Sequence, residues 1–298
     1  MEVLRMPLES HELAGRQAHA KTTLILGLVA GLLVTSMVQA SPWSRIATVT
    51  SGLAVTIGSP VNGCITGAHV LPATGPGFVS IRRHRNRYYG HPDTIRLVRE
   101  LGRTLSRHTH ESMMVGDLSQ PRGGPMSSGH RSHQNGLDVD IWFHLTASTR
   151  NIGQRYPEQQ DPPSLVAPGG QGLGKSWGKL QRLLLKTSAE HPRVDRIFVN
   201  PAIKRALCRS EQGDRRWLHK LRPWWGHRAH FHVRLECPSG SPLCKQQSPL
   251  PAGDGCDRSL AWWFSEEART PAKKPKQKKT RPLRPSLPAA CTALLSGS

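Results

Sequence analysis

The sequence GHRSHQNGLDVDIWF at residues 129–143 joins a glycine-containing loop to a strictly alternating apolar and polar run. Alternation with a period of two predicts a strand whose apolar side chains share one face, because successive side chains point to opposite faces. The opposite face of this predicted strand carries Asp138 and Asp140. His133 lies on the loop that precedes the strand, and Gly136 allows the chain to turn there. The stretch therefore predicts a histidine and two carboxylates beside one strand.

A second predicted strand carries two histidines. It is HFHVRLEC at residues 230–237, which follows RPWWGHRA at 222–229. Because His230 and His232 are two residues apart, both side chains leave the same face of the strand. The two stretches together offer three nitrogen and oxygen ligands, which are His133, Asp140 and His232. Three protein ligands leave one position of tetrahedral zinc for water, so the sequence predicts a catalytic zinc site rather than a structural one.

Each stretch has a less specific interpretation when it is taken alone. The chain contains 15 histidines, so a His-x-His pair can arise by chance. Asp138 and Asp140 could form the solvent-facing side of an antiparallel strand. The sequence contains neither HExxH, the zinc-binding helix motif, nor GxSxG, the nucleophile turn of serine hydrolases. The occurrence of both strands together, each beside a glycine-containing loop, favours the metal site.

The remaining sequence predicts an α+β domain. Apolar residues at helical spacing predict helices, and short apolar runs predict strands. In chain order these predictions are a helix at 94–107, a strand at 113–118, a helix at 178–189, a strand at 196–200 and a helix at 201–208. Strands and helices do not alternate as βαβ units, which favours a small antiparallel sheet core with flanking helices and long loops.

The first 40 residues are typical of a secretory signal peptide. The apolar run LILGLVAGLLV at 24–34 is too short to span a membrane comfortably. It follows Lys21 and precedes a small-residue cleavage site, VQA at 38–40, so that cleavage would leave Ser41 as the mature N-terminus. An uncleaved N-terminal anchor is the alternative. Both interpretations predict an exported protein.

Six cysteines support export, since all of them lie after residue 40. No CxxC pair is present, which argues against a zinc ribbon and for disulfides in an oxidising compartment. Six cysteines allow many connectivities, and their spacing alone does not choose among them. Cys237 and Cys244 flank a short Pro/Ser/Gly loop and form the simplest local pair.

The chain carries a net charge of +21, which attracts polyanions without specifying which. In an exported protein the expected partners are the anionic wall and membrane surface rather than nucleic acid, and a non-enzymatic wall-binding protein is one alternative. The run RTPAKKPKQKKTRPLR at 269–284 contains eight Lys or Arg and no acid, which predicts a disordered tail in electrostatic contact with such surfaces. The predicted division is a signal peptide at 1–40, a domain with the catalytic zinc site at 41–267 and a basic tail at 268–298.

Several stretches resemble the LAS metallopeptidases, the superfamily of lysostaphin and the D-Ala-D-Ala carboxypeptidases. The loop and strand at 129–143 resemble the HxxxxxxD half of that family's metal site, and HFH at 230–232 resembles its HxH half. The resemblance is closest to the members that cut murein cross-links, and it covers nearly all of residues 41–267 together with Cys291. Further stretches that carry it are YYGHPD at 88–93, RIFVNPAIK at 196–204 and GDGC at 253–256.

This resemblance implies an α+β, disulfide-stapled LAS fold and a periplasmic enzyme. The implied activity is zinc-dependent hydrolysis of the D-alanyl–meso-diaminopimelate cross-links of peptidoglycan. The implied residues are the metal ligands His130, His133, Asp140 and His232, the catalytic residues His227 and His230, and the disulfides Cys64–Cys291, Cys208–Cys256 and Cys237–Cys244. A D-Ala-D-Ala carboxypeptidase on the same fold is the alternative. One metal ion is expected, since LVAPGGQG at 165–172 lacks the Asp and His with which relatives can bind another.

His230 is the predicted general base. The two stretches contain no glutamate, and the ordinary pKa of histidine suits proton transfer near neutral pH. The same side chain could instead stabilise the developing oxyanion. Asp138 is predicted either to orient His133 or His230 or to be a solvated strand residue.

Other polar and aromatic residues are candidates for contact with substrate. Arg122 and Arg228 could bind a substrate carboxylate through paired hydrogen bonds. Trp224 and Trp225 are expected to pack and to form the wall of a groove rather than to take part in catalysis.

Overall fold

The computed structural model describes residues 41–127, 129–270 and 286–296, and all of the following elements lie within these ranges. The strands are β1 (Val55–Ser59), β2 (Asn62–Thr66), β3 (His69–Val70), β4 (Thr74–Gly75), β5 (Phe78–Ser80), β6 (Tyr89–Gly90), β7 (Ser112–Val115), β8 (Asp138–Thr146), β9 (Val194–Val199), β10 (Leu221–Pro223) and β11 (His230–Leu235). The helices are α1 (Pro92–Ser106), α2 (Ile152–Arg155), α3 (Lys179–Glu190), α4 (Pro201–Ser210), α5 (Arg258–Trp262), α6 (Glu266–Arg269) and α7 (Ala289–Ser296).

Seven of the strands form one sheet in the order β10-β9-β11-β8-β7-β5-β4, and the pairs β1-β2 and β3-β6 form smaller sheets. At its centre, β11 pairs antiparallel with both β8 and β9, and β8 pairs antiparallel with β7. The pairs β10-β9 and β5-β7 are parallel, because the connections that contain α4 and α1 return the chain in the same direction. The α+β prediction is confirmed, and the sheet is mixed rather than purely antiparallel.

Helices α1, α3 and α4 and strands β8, β9 and β11 lie where the sequence predicts them, with small differences in their bounds. The strand predicted at 113–118 is shorter, since β7 ends at Val115. After β7, Leu118 N donates to Arg87 O at 2.8 Å. Gly116 and Asp117 still bond to Asp140 of β8, so the chain leaves β8 at Leu118 to pair with another segment, a contact that no local pattern predicts.

The pairing of β8 with β11 places the polar side chains of the two strands side by side on one face of the sheet. Its register places His232 opposite Asp140 and Arg234 opposite Asp138. Side chains directly opposite each other on antiparallel strands lie close together on the same face. A register shift by one residue would turn His232 to the other face, so the register decides whether a site can form.

The other face of the sheet packs against helices. The main hydrophobic core contains residues of β8, of β11 and of helices α1, α3 and α4, among them Val139, Ile141, Phe143, Phe231, Val233, Leu97, Leu101, Leu184 and Leu207. Each fully buried side chain of this kind contributes roughly 1.5–3 kcal/mol to folding. Burial of the apolar residues of β8 and β11 thus fixes the position of both strands, and with it the position of their polar side chains.

Three disulfides cross-link the chain, and among the described residues no cysteine is free. They are Cys64–Cys291, Cys208–Cys256 and Cys237–Cys244. These are the three pairs that the resemblance implies. The first joins β2 to α7 across a sequence separation of 227 residues.

Helix α7 packs on the β1-β2 hairpin, although the sequence assigns it to the basic tail. Cys291 is fully buried in a small core with Trp43 and Ile57, and Leu294 packs against this core. Arg122 is 9% exposed and donates from Nη1 to Leu294 O at 2.9 Å. Arg122 therefore supports the fold of this region, and its prediction as a substrate ligand is not supported. Arg228 is exposed on the loop before β11 and stays a candidate.

The predicted signal peptide and most of the basic run, residues 271–285, lie outside the described residues. Within the described ranges, every helix is too short or too polar to cross a bilayer.

Lys204 of α4 is fully buried and joins this helix to the 3-10 helix Arg216–Lys220 and to the loop that contains Asp254. Its Nζ donates to Leu218 O at 2.6 Å and to Asp254 O. Burial lowers the pKa of Lys204 to about 7, although the Asp254 carboxylate opposes this shift. We expect Lys204→Met to lower the free energy of unfolding by about 3 kcal/mol, because the buried Leu218 carbonyl and the half-buried Asp254 carbonyl lose their donor. Urea unfolding measures the change.

Lys179→Met, at an exposed position at the start of α3, is the control for this substitution and should change stability by less than about 0.5 kcal/mol. Equal stabilities of the two variants would show that the Lys204 contacts contribute nothing to folding.

Candidate metal centre

The candidate site lies on the polar face of β8 and β11, beside the loop that precedes β8. On this loop His133 occupies the left-handed backbone region, with φ of 66°. A residue other than glycine adopts this region at an energetic cost, so neighbouring contacts must hold it there. His133 N donates a hydrogen bond to Asp138 Oδ2 at 2.9 Å. Gly136, at φ of 79°, provides the turn that the sequence predicts. The strand thus holds the loop histidine beside the sheet.

The carboxylate of Asp140 is at the centre of a histidine cluster. Its Oδ1 lies 3.1 Å from His232 Nδ1, 3.4 Å from His133 Nε2 and 3.9 Å from His230 Nε2. Its Oδ2 lies 3.6 Å from His130 Nε2. The fold therefore brings together the four residues predicted as metal ligands and one of the two predicted as catalytic.

Among the described residues, two groups of three have ligand atoms that all lie within 4.8 Å of one another. They are His130, His133 and Asp140 in one group, and His133, Asp138 and His232 in the other. The groups share His133, and Asp140 reaches the second group through its 3.1 Å contact with His232. The predicted set of His133, Asp140 and His232 thus spans both groups.

The burial of these atoms fits a bound metal ion. His133 is 0% exposed, and Asp140 and His232 are each 4% exposed. Within the described residues, both nitrogens of His133, Oδ1 of Asp140 and Nε2 of His232 lack a hydrogen-bond partner. Each buried polar atom without a partner costs roughly 1–3 kcal/mol. Imidazole nitrogen and carboxylate oxygen are zinc ligands, so a cation bound here would satisfy atoms that the chain itself leaves unpaired.

The charges of the cluster stabilise one another. Burial favours the neutral form of Asp140, but the charges that His133, His230 and His130 carry when protonated outweigh burial and hold the pKa of Asp140 well below its ordinary value. Burial also disfavours the charged form of His232, yet the facing carboxylates of Asp138 and Asp140 raise its pKa. Asp140 is therefore ionised, which is the form that binds a metal.

Asp138 is fully buried, so its interpretation as a solvated strand residue is wrong. Arg234 donates to it from Nε to Oδ1 at 2.7 Å and from Nη2 to Oδ2 at 3.0 Å. Asp138 Oδ1 also lies 3.2 Å from His232 Nε2. A carboxylate beside the outer nitrogen of a ligand histidine fixes the ring orientation and raises its basicity. Besides Arg234, Asp138 contacts His232 and the backbone of His133. Among the described contacts it has none with His230, so it does not orient that residue.

A comparison of whole sequences agrees with this geometry. The sequence model of the penicillin-insensitive murein endopeptidase family matches residues 56–296, from β1 to the end of α7. The chain belongs to this family. Family members are peptidases, so the prediction of an enzyme is confirmed and a non-enzymatic wall-binding protein is not supported.

Relatives named penicillin-insensitive murein endopeptidase are similar to nearly the whole chain. One from Klebsiella pneumoniae is 42% identical over 273 residues, which are 91% of this chain and 97% of the relative. One from Pectobacterium atrosepticum is 43% identical over 277 residues, 91% of this chain and 95% of the relative. One from Yersinia enterocolitica is 41% identical over 276 residues, 91% of this chain and 96% of the relative.

Asp117 is a member of the site that the sequence did not indicate. Its Oδ2 accepts from His130 Nε2, Arg85 Nη1 and Arg87 Nη1, each at 3.0 Å. Burial favours the neutral acid, but the hydrogen bond and charge of His130 and the charges of both arginines outweigh it and lower the pKa of Asp117 to about 2. Asp117 thus holds the ring of His130, whereas Nε2 of His133 has no such partner among the described residues.

The only feature of the sequence that could have pointed to Asp117 is its position after the apolar run in MMVGDL at 113–118. It is not informative by itself, because nothing in that run shows which strand it adjoins. In the fold, Asp140 N donates to Asp117 O at 3.0 Å, which places the residue beside β8.

His230 and His227 lie at the outer side of the cluster. The ring of His230 is 5.1 Å from that of His227 and 5.3 Å from that of Trp142, measured between centroids. His227 Nδ1 lies 2.8 Å from Trp225 O, so Nδ1 carries the proton that it donates and Nε2 is left as an acceptor. Burial lowers the pKa of His227 to about 4, and it lowers the pKa of His230 as well. Both imidazoles are therefore neutral near pH 7.

Proposed function

We propose that the protein is a zinc-dependent murein endopeptidase that hydrolyses the D-alanyl–meso-diaminopimelate cross-links of peptidoglycan. The observation that carries the proposal is the buried cluster of His133, Asp140 and His232, in which His133 Nε2 and Asp140 Oδ1 have no hydrogen-bond partner among the described residues and His232 Nδ1 lies 3.1 Å from Asp140 Oδ1. Membership of the penicillin-insensitive murein endopeptidase family supports the substrate, since the similar relatives are named for their action on murein.

The proposed ligands are His133 Nε2, Asp140 Oδ1 and His232 Nδ1, the atoms that face one another in the cluster. His130 adjoins them through its 3.6 Å contact with Asp140 Oδ2. Bound zinc would supply Lewis-acid polarisation of the scissile carbonyl and of a water molecule. Asp138 and Arg234 hold His232 in the orientation that this set requires.

His230 is the proposed acceptor of the proton that the attacking water loses. It lies on the same face of β11 as His232, and its Nε2 is 3.9 Å from Asp140 Oδ1, so it borders the proposed ligand set without belonging to it. A neutral imidazole has the free lone pair that this role needs. His227, with Nε2 free as an acceptor, is placed to hold an N–H or O–H group of the substrate.

Export to the periplasm is part of the same proposal. Three disulfides with no free cysteine among the described residues are typical of proteins that fold in an oxidising compartment. Residues 1–40 would act as the signal peptide and residues 41–267 as the catalytic domain, with α7 packed on it as an additional element.

The proposed function is tested by digestion of purified murein with the refolded or exported enzyme, followed by separation of the released muropeptides. Cross-linked dimers should become monomers, and a chelator should stop the reaction until zinc is restored. Loss of terminal D-alanine from uncross-linked stems, with dimers intact, would instead identify a D-Ala-D-Ala carboxypeptidase. Activity that persists in the metal-free enzyme would overturn the zinc assignment.

We expect His230→Ala to lower kcat on murein dimers by about 10²- to 10⁴-fold while the zinc content stays near that of the wild type. The reason is that His230 borders the proposed ligands but is not one of them. Turnover and elemental analysis of the same preparation check both statements. His108→Ala, at an exposed histidine after α1, should change neither quantity. Wild-type turnover in the His230 variant would end its catalytic assignment.

A further inference from the structure

Four tryptophans form a connected aromatic surface beside the candidate metal centre. Trp224 and Trp225 come from the loop before β11, and Trp262 and Trp263 come from the end of α5. The ring centroid of Trp225 lies 4.1 Å from that of Trp263 and 5.7 Å from that of Trp262, and the centroids of Trp224 and Trp225 are 6.1 Å apart. We call these four residues the tryptophan platform.

The platform is exposed although it is aromatic. Trp224, Trp225 and Trp262 are 52%, 51% and 40% exposed. Their rings meet at interplanar angles of 89° and 75°, so the edge of one ring meets the next ring, and a large part of each side chain stays open to solvent. Contiguous apolar surface of this kind commonly marks a binding site.

The platform is continuous with the metal centre through Phe198 of β9. The Phe198 ring lies 5.4 Å from His232 and 5.9 Å from Trp224, measured between centroids. Two hydrogen bonds hold the loop in place: Trp224 N donates to Val199 O at 2.9 Å, and Asn200 Nδ2 donates to Gly226 O at 2.8 Å. The rings are thus pre-organised, which reduces the entropy lost when a ligand binds.

We propose that the tryptophan platform binds the sugar rings of the glycan strand to which the cross-linked peptides are attached. This inference rests on the proposed function. Pyranose rings present axial C–H groups that pack on indole faces, while their hydroxyls remain available for hydrogen bonds. Trp224, the near edge of the platform, is two ring-to-ring steps of 5.4 and 5.9 Å from His232. A stem of four residues spans at most roughly 14 Å, so a peptide bond held at the metal centre leaves its sugar within reach of the platform.

The acidic rim of the platform favours sugar over an anionic lipid surface. Glu266 and Glu267 form the first turn of α6, and Glu267 Oε2 accepts a hydrogen bond from Trp262 Nε1 at 3.1 Å. The Glu267 carboxylate beside the Trp262 ring would repel anionic headgroups, which attract basic segments. A fixed carboxylate at the edge of an indole is instead a good acceptor for sugar hydroxyls.

The test compares two substrates with the zinc-loaded, full-length enzyme. One is a cross-linked muropeptide dimer that carries its disaccharides, and the other is the same peptide dimer after enzymatic removal of the sugars. We expect Trp262→Ala to lower the ratio of kcat/KM for the sugar-bearing over the sugar-free dimer by about tenfold, mainly through KM. Trp262→Tyr should restore most of the ratio, because it keeps an aromatic face. Leu53→Ala, at an 86% exposed leucine before β1, should leave the ratio unchanged.

Three results would overturn the inference alone: equal losses on both substrates, no loss on either, or unchanged kinetics with weaker binding to phosphatidylglycerol vesicles. Equal losses on both substrates would show that Trp262 has a structural role. No loss on either would show that the platform does not bind substrate, and weaker vesicle binding would show that it binds lipid. A wild-type enzyme that cleaves neither substrate would overturn the proposed function itself, which separates the two failures.

Discussion

We expect His133→Ala and His232→Ala each to abolish zinc binding and to lower activity on murein dimers on the order of 10³-fold or more. Each substitution leaves two of the three proposed ligands, which hold the ion poorly. Neither change removes an apolar core residue, so both variants should fold. Elemental analysis of zinc, together with release of monomers from murein, measures the two effects.

His144→Ala is the matched control, because His144 lies on β8, the strand that carries Asp140, and its ring contacts Tyr156, at 5.8 Å between centroids, rather than the cluster. Its zinc content and activity should equal those of the wild type. Full zinc occupancy in the His133 or His232 variant would remove that residue from the ligand set. Circular dichroism of each variant shows whether a loss of zinc has a cause other than unfolding.

Arg234→Met is expected to destabilise the fold by about 3–5 kcal/mol, because it leaves the fully buried Asp138 carboxylate without its partner. Burial opposes ionisation of Asp138, and the charges of Arg234 and His232 together hold its pKa well below the ordinary value. Since Asp138 also contacts His232, the zinc affinity should fall about 10- to 100-fold. Urea unfolding and competition with a chromogenic chelator measure the two quantities.

Two further variants make this prediction specific. Arg216→Met breaks an ion pair with Asp214 in which the Arg216 side chain is 91% exposed, and it should cost less than about 1 kcal/mol. Asp138→Leu combined with Arg234→Met removes both buried charges, so stability should partly recover while zinc affinity stays low. Recovery of both quantities in the double variant would show that Asp138 does not orient His232.

Local sequence was sufficient to predict the strands that carry the site. Alternation is a relation between neighbouring residues, so it shows which side chains share a face without any knowledge of the fold. It predicted Asp138 and Asp140 on one face of β8 and His230 and His232 on one face of β11, as the structure has them. The family resemblance added His130 to the predicted ligands and His227 to the predicted catalytic residues.

The sheet and its edges were less predictable from the sequence. Parallel pairing of β9 with β10 and of β5 with β7 depends on how the chain returns after α4 and α1, which no local period encodes. The packing of α7 on the β1-β2 hairpin likewise depends on a partner far away in sequence. For the same reason Arg122 could not be recognised as a contact of α7 and was predicted as a substrate ligand.

The sequence by itself determined that the chain is an α+β protein with histidines and carboxylates on the polar faces of two strands. Only the tertiary structure decided that His232 lies opposite Asp140, that Arg234 pairs with Asp138 and that Asp117 holds His130. A pattern along the chain specifies the face of a strand. Which residue of another strand that face meets depends on the register, and the register is determined by packing of the whole core.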